Sequence, residues 1–225
     1  MSEIKRVSNE FHIIEVQYYF HNIFSKYTDE KNIIKLFTEV VKSYSAKSRH
    51  YHNMHHIHTM CTAWDLFNSK LNNPDAIFMA IIYHDIVYSA IKSNNEEKSA
   101  DYFKKNVSTV LNLDSIFIKK VYDAILSTKH NDESKKYWED DIDIQYLLDF
   151  DLHILGTRHE SEYEWYKNGV RKEYKIYPDL IYKPGRKKVL ESFLKRKKIY
   201  LTEDFKVNEK KARKNLNNEI KMYLC

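Results

Sequence analysis

Apolar residues recur at intervals of three and four along most of the chain. Phe11, Ile14, Tyr18 and Phe24, then Ile33, Phe37, Val40, Val41 and Tyr44, predict two core-forming amphipathic helices parted near Thr28 and Asp29. Met54, Ile57, Cys61, Trp64 and Leu71 predict a third helix, opening near Asn53 and closed by Asn72, Asn73 and Pro74, with the next starting at Asp75. The segment AIFMAIIYHDIVY is apolar almost all round before His84, as expected of a helix packed on several sides. Further helices are expected over 96–105, 114–128, 142–155, 160–174, 186–197 and 208–224, whereas Tyr177 to Gly185, with two prolines and a glycine, predicts a loop or subdomain joint.

Composition narrows this picture. Three glycines and three prolines in 225 residues are too few turn formers for an all-β design, so the expected class is all-α, in a single domain over 1–225. No apolar run approaches the roughly 18 residues that cross a bilayer, and the N-terminus lacks a signal-peptide pattern, which predicts a cytoplasmic chain with no membrane partner. Cys61 and Cys225 form no ligand pair or disulfide framework. The net charge of +5 is concentrated in residues 181–225, which hold 14 Lys and Arg against 5 Asp and Glu. Such a basic helical C-terminal part could attract phosphorylated ligands or nucleic acid, but coating the exposed face of a terminal helix is the commoner role of such residues, and nucleic acid is not the favoured partner.

The densest chemical feature is Arg49-His50-Tyr51-His52-Asn53-Met54-His55-His56-Ile57-His58, which holds five of the eleven histidines. With a helix beginning near Asn53, His52 sits at its mouth and His56 one turn on, so the two can approach a common point. Neutral imidazoles spaced by a turn commonly begin a metal site, and the absence of HExxH excludes a zinc-protease reading. His84-Asp85 closes the most apolar helix. Burying that carboxylate without a partner costs several kcal/mol, a cost that a cation removes. Asp149 and Asp151, two residues apart, point to different sides of a helix, so one of them reaches the centre. Histidine and carboxylate without thiolate suit a hydrolytic divalent ion: Mn, Fe, Co, Ni, Mg or Zn.

An early His, a His84-Asp85 pair closing an apolar helix and a late Asp resemble the H…HD…D signature of the HD superfamily. YHNMHHI, YHDIVY, NNEEKSA, ILSTKH, LLDFDLHILG and RKKVLESFLKRKKIY resemble, in order, a bacterial group of HD phosphohydrolases, so the likeness covers most of the chain. It implies a multi-helix HD-type bundle with the metal on His56, His84, Asp85 and Asp151, Asp149 being the rival for the last place. Tyr51-His52-Asn53 followed by His56 also resembles the first motif of cyclic-nucleotide phosphodiesterases, which implies His52 as general acid. With no further histidine in IVYSAIKSNNEEKS, the second-metal motif of those enzymes is missing, which disfavours a cyclic nucleotide and favours one ion.

The expected activity is hydrolysis of a small phosphomonoester or phosphoanhydride, nucleotides included, through metal-activated water, with His52 and Asp85 catalytic. Arg49, Lys129 and His130 are candidate phosphate contacts. Glu96 and Glu97 suit the first turn of a helix and are secondary candidates for reaching the metal-bound water. No chemistry can be assigned to Arg171, Arg186, Arg196, Tyr200, Arg213 or Asn215, although each falls in a family-like stretch. The alternatives are an HD-fold metal- or ligand-binding regulatory module with little turnover and a nucleic-acid-directed phosphodiesterase. Homo-oligomerisation is open.

Overall fold

Helix boundaries follow the side chains able to cap them. In the computed structural model, which describes residues 2–223 with side chains from residue 10 onward, α1 (Ser2–Phe24) and α2 (Glu30–Tyr44) part at Asp29, whose carboxylate accepts the N–H of Asn32 at 2.9 Å. α3 (Met54–Phe67) starts at Asn53, whose side chain accepts the His55 N–H at 2.9 Å, and α4 (Pro74–Tyr83) has proline at its first position. Caps of this kind contribute about 1 kcal/mol each, and proline at N1 gives up only an N–H that the helix would not use. α5 (Asn95–Tyr102) runs into a wider turn, and α6 (Ser115–Ser127) is capped by Asp114, which accepts the Phe117 N–H at 2.7 Å. α7 (Lys135–Trp138), α8 (Ile142–Leu152), α9 (Glu160–Glu173), α10 (Asp179–Lys195), α11 (Glu203–Lys206) and α12 (Glu209–Lys221) complete an all-α chain with no strand among the described residues. No helix there is long and apolar enough to cross a membrane. Cys225 and the last residue of the expected 208–224 helix lie outside the described residues.

Two expectations are corrected. On α1 the buried face is Val16, Phe20, Ile23 and Phe24, while Phe11, Ile14 and Tyr18 are more than half exposed. Both sets satisfy helical spacing, and burial against α2 and α3 chooses between them. The expected loop at 177–185 is also helical from Asp179, with Pro184 inside α10. Pro184 lacks the N–H that would bond the carbonyl of Leu180, a residue 88% exposed, so water can take that place.

The chain divides into two compact units, 1–147 and 148–225, the boundary falling within the sequence of α8. In the first unit Ala76 to Tyr83 of α4 are all buried, packed on α3 and α6. Asp143, 1% exposed, accepts the N–H groups of Asn72 (2.7 Å) and Asn73 (3.0 Å) at the start of α4 and pairs with Lys120 at 3.1 Å. The end of α4, where His84-Asp85 lies, is thus the far end of a helix anchored at both its sides and its start.

The second unit is braced by the very residues to which the sequence assigns no chemistry. Arg186 donates to Glu219 (Nε to Oε1, 2.9 Å) and to the Tyr166 hydroxyl (2.8 Å), and Glu219 also accepts from Tyr163 (2.8 Å) and Tyr223 (2.9 Å). Arg171 binds Asp179 and the carbonyls of Tyr174 and Tyr177. Arg213 reaches Glu209 and the carbonyls of Leu194 and Arg196, whose own guanidinium lies over Phe193. Asn215 donates to the carbonyls of Leu155 and Thr157, and Tyr200 to that of Leu152. Close approach fixes Gly156: a Cβ there would meet the Tyr200 hydroxyl at 2.6 Å and Asn208 Cβ at 2.7 Å.

Candidate metal centre

The first unit assembles its candidate ligands from the starts and ends of helices. Asn53 caps α3, which fixes the first turn and turns His56 inward to 2% exposure. His84 is the residue that closes α4, also 2% exposed, and Asp85 comes next in the turn at 8%. The imidazole Nδ1 of His84 lies 2.9 Å from the carbonyl oxygen of Ile81. A carbonyl can only accept, so Nδ1 carries a proton and, in the neutral ring, Nε2 presents the lone pair. That nitrogen lies 3.3 Å from Nε2 of His56 and 3.3 Å from Oδ2 of Asp85.

Basic atoms of His56 and Asp85 each lie beside His84 Nε2 in a buried place, where positive charge would relieve them. At nitrogen-to-metal lengths of about 2.0–2.1 Å, a tetrahedral ion holds its ligand atoms roughly 3.3 Å apart, which matches the His56–His84 and the His84–Asp85 separations. The second nitrogen of His84 bonding a carbonyl is the usual way a ligating imidazole is oriented.

His52, just outside the cap, is half-buried and carries its Nε2 3.9 Å from Oδ2 of Asp85. Its ring lies 4.6 Å from that of Tyr88 and 4.9 Å from that of Tyr51, and Tyr51 in turn sits 5.0 Å from His56. The buried guanidinium of Arg49 donates to the carbonyls of His52 (3.1 Å) and Ile86 (3.0 Å), lying over the rings of Tyr44 and Tyr88. Arg49 thus ties the segment before α3 to the segment after α4, which holds His52 beside Asp85.

The NNEEKSA stretch positions the turn that leads away from Asp85. Ser99 exchanges bonds with the N–H and carbonyl of Val87 (3.1 and 3.3 Å), and Asn95 does the same with Ser89 (3.1 and 3.0 Å). Asn95 and Ser99 are the positioning residues that sequence reasoning misses, because a side chain bonding a distant backbone leaves no periodic trace; the only signal is the NNEEKSA likeness itself. Glu96 does begin α5 as expected, but it is also near enough to Asp85 to feel its charge: burial pushes its carboxyl up, and Asp85 adds to the rise. Burial pushes the Glu97 carboxyl up, but its hydrogen bond to Lys129, a backbone hydrogen bond and the Lys129 charge together bring it below the ordinary range. His130, next to Lys129, adopts a left-handed φ of 54° at the end of the α6 turn. Cys61 is buried, which pushes its thiol up, and it takes no part in the cluster.

The two late carboxylates belong to the second unit. Asp149, fully buried, accepts the N–H groups of Leu201 and Thr202 (both 2.8 Å) and the Thr202 hydroxyl (2.6 Å). Its oxygens are committed to holding residues 201–202. Asp151, in the last turn of α8, is half-buried. Asp149→Ala is therefore expected to cost about 3 kcal/mol in urea unfolding, since it strands buried donors. An unchanged urea midpoint in that variant would show that these bonds carry no net energy.

No family model, curated protein or solved structure matches the chain.

Proposed function

We propose that the chain is a metal-dependent phosphohydrolase of the HD type, with a divalent ion held by His56, His84, Asp85 and Asp151. The observation that carries this reading is the approach of His56 Nε2 and Asp85 Oδ2 to the His84 Nε2 nitrogen, each at 3.3 Å, in a buried place where the Ile81 carbonyl orients the His84 ring. Asp151 enters from the sequence pattern, supported by the commitment of Asp149 elsewhere. A bound ion supplies Lewis acidity toward a phosphoryl oxygen and a water of lowered pKa.

The protein's own groups do the rest. His52, with Nε2 3.9 Å from Asp85 Oδ2, is the candidate to hand a proton to the leaving oxygen. Lys129 and His130 are candidate donors to phosphate oxygens, and Arg49 contributes charge while its position keeps His52 in register. Small phosphate esters, nucleotides included, are the substrate class that a buried His and carboxylate centre of this kind suits.

His52→Ala tests the assignment of the proton donor. It should lower kcat by about 10²–10⁴-fold and remove the basic limb of the pH–rate profile, with metal affinity unchanged. Lost metal affinity together with lost activity would make His52 a ligand instead of an acid.

A further inference from the structure

α3 carries a second histidine face. His55 and His58 lie three residues apart on this helix and are therefore neighbours on its surface, turned away from the side that buries His56. His12 of α1 meets both: its ring stacks on that of His55 with centroids 4.4 Å apart and planes 18° apart, and lies 4.8 Å from that of His58. One turn on from His12, the Glu15 carboxylate is close enough for its charge to act on His58. All four residues have the intermediate exposure of a site open to ions from solvent. A stacked pair of imidazoles with a third tilted beside it is not a core: no apolar area is gained that leucine or phenylalanine would not supply better.

We propose that His12, His55 and His58, with Glu15, form a second metal site that takes a late first-row divalent cation and pins α1 to α3. A donor set of three imidazoles and one carboxylate suits Ni(II), Cu(II) or Zn(II), whose affinities for nitrogen exceed those of Mn(II) and Fe(II). Gathering these donors on one ion takes rotation about the soft χ2 angle of each imidazole, which swings the ring nitrogens without moving either helix. Burial and the neighbouring His58 hold His12 below the ordinary histidine value, so it is neutral and ready to ligate at pH 7. This site shares no ligand with the centre of His56 and His84 and stands whether or not that centre is catalytic.

The test uses the full chain without a histidine tag, in an Asp85→Ala background and in the same background with His12→Ala, titrated with Ni(II) by calorimetry and followed by hydrogen exchange. The single variant should bind one Ni(II), with slowed exchange in α1 around residues 10–16, and the added His12→Ala should weaken that equivalent by about tenfold or more. His12 is half-exposed, so circular dichroism should report the same fold in both. Equal Ni(II) binding in the two variants, or binding by neither, would overturn the proposal. Separately, failure of the phosphohydrolase reading would show only in wild type, as no Mn(II) uptake and no turnover.

Discussion

Asp85→Ala is expected to lose the rise in melting temperature that Mn(II), Fe(II) or Co(II) gives the wild-type chain, and to lose metal-dependent phosphate release with it. An ion present at a hundred times its Kd stabilises by about 2.7 kcal/mol, which in a chain of this size is a rise of roughly 5–10 °C. The variant removes the carboxylate that lies 3.3 Å from His84 Nε2 while leaving the core untouched, because Asp85 sits in the turn after α4 and Tyr83 and the residues before it keep their packing. His84→Ala should behave likewise. Mn(II) is the informative ion, since the histidine cluster of α1 and α3 should bind it least. A variant that keeps both the thermal rise and its activity would remove Asp85 from the centre.

The second large effect belongs to stability. Glu219→Ala is expected to cost about 3–5 kcal/mol in urea unfolding, because it leaves the Arg186 guanidinium, 8% exposed in its side chain, without its carboxylate. It also strands the hydroxyls of Tyr163 and Tyr223. Replacing both partners, as in Arg186→Met with Glu219→Leu, should recover most of the loss, because a buried pair contributes little beyond an apolar one of equal volume. Burial works to raise the carboxyl of Glu219, but Arg186 and the hydrogen bonds overcome it and hold it below the ordinary range. Its folded pKa is therefore below its unfolded value of about 4.3, so its contribution is complete above that pH and is lost as pH falls through the folded value. Glu219→Gln should flatten that part of the acid limb of stability. An unchanged urea midpoint in Glu219→Ala would show that the network carries no net energy.

Helix existence is legible wherever a cap and a period agree, as at Asn53, Asp29 and Asp114, whose side chains make the expected bonds to the second or third N–H beyond. Periodicity leaves open the buried face of α1, since Phe11, Ile14 and Tyr18 are spaced as regularly as Val16, Phe20 and Phe24. Pro184 and Gly185 signal a break locally, and the helix continues because the lost bond lies at an exposed turn. At the candidate centre, residue type and setting point to His56, His84 and Asp85, and residues 28 positions apart do meet. The roles of Arg49, Asn95 and Ser99 stay hidden, because each acts on the backbone of another segment and no spacing rule records that. The same holds for Arg186, Arg213 and Asn215, whose bonds to other segments span 16 to 60 residues.

The most direct measurement is phosphate release from a panel of nucleotides and small phosphate esters by the metal-stripped chain, before and after restoring each candidate divalent ion. A metal-dependent phosphohydrolase gives no release when stripped, and turns over at least one phosphate ester or anhydride on restoring an ion that His84→Ala fails to use. Equal release with and without metal, or none from any substrate although the ion is bound through His84, would contradict that function, the latter outcome leaving a metal-binding module in place of an enzyme.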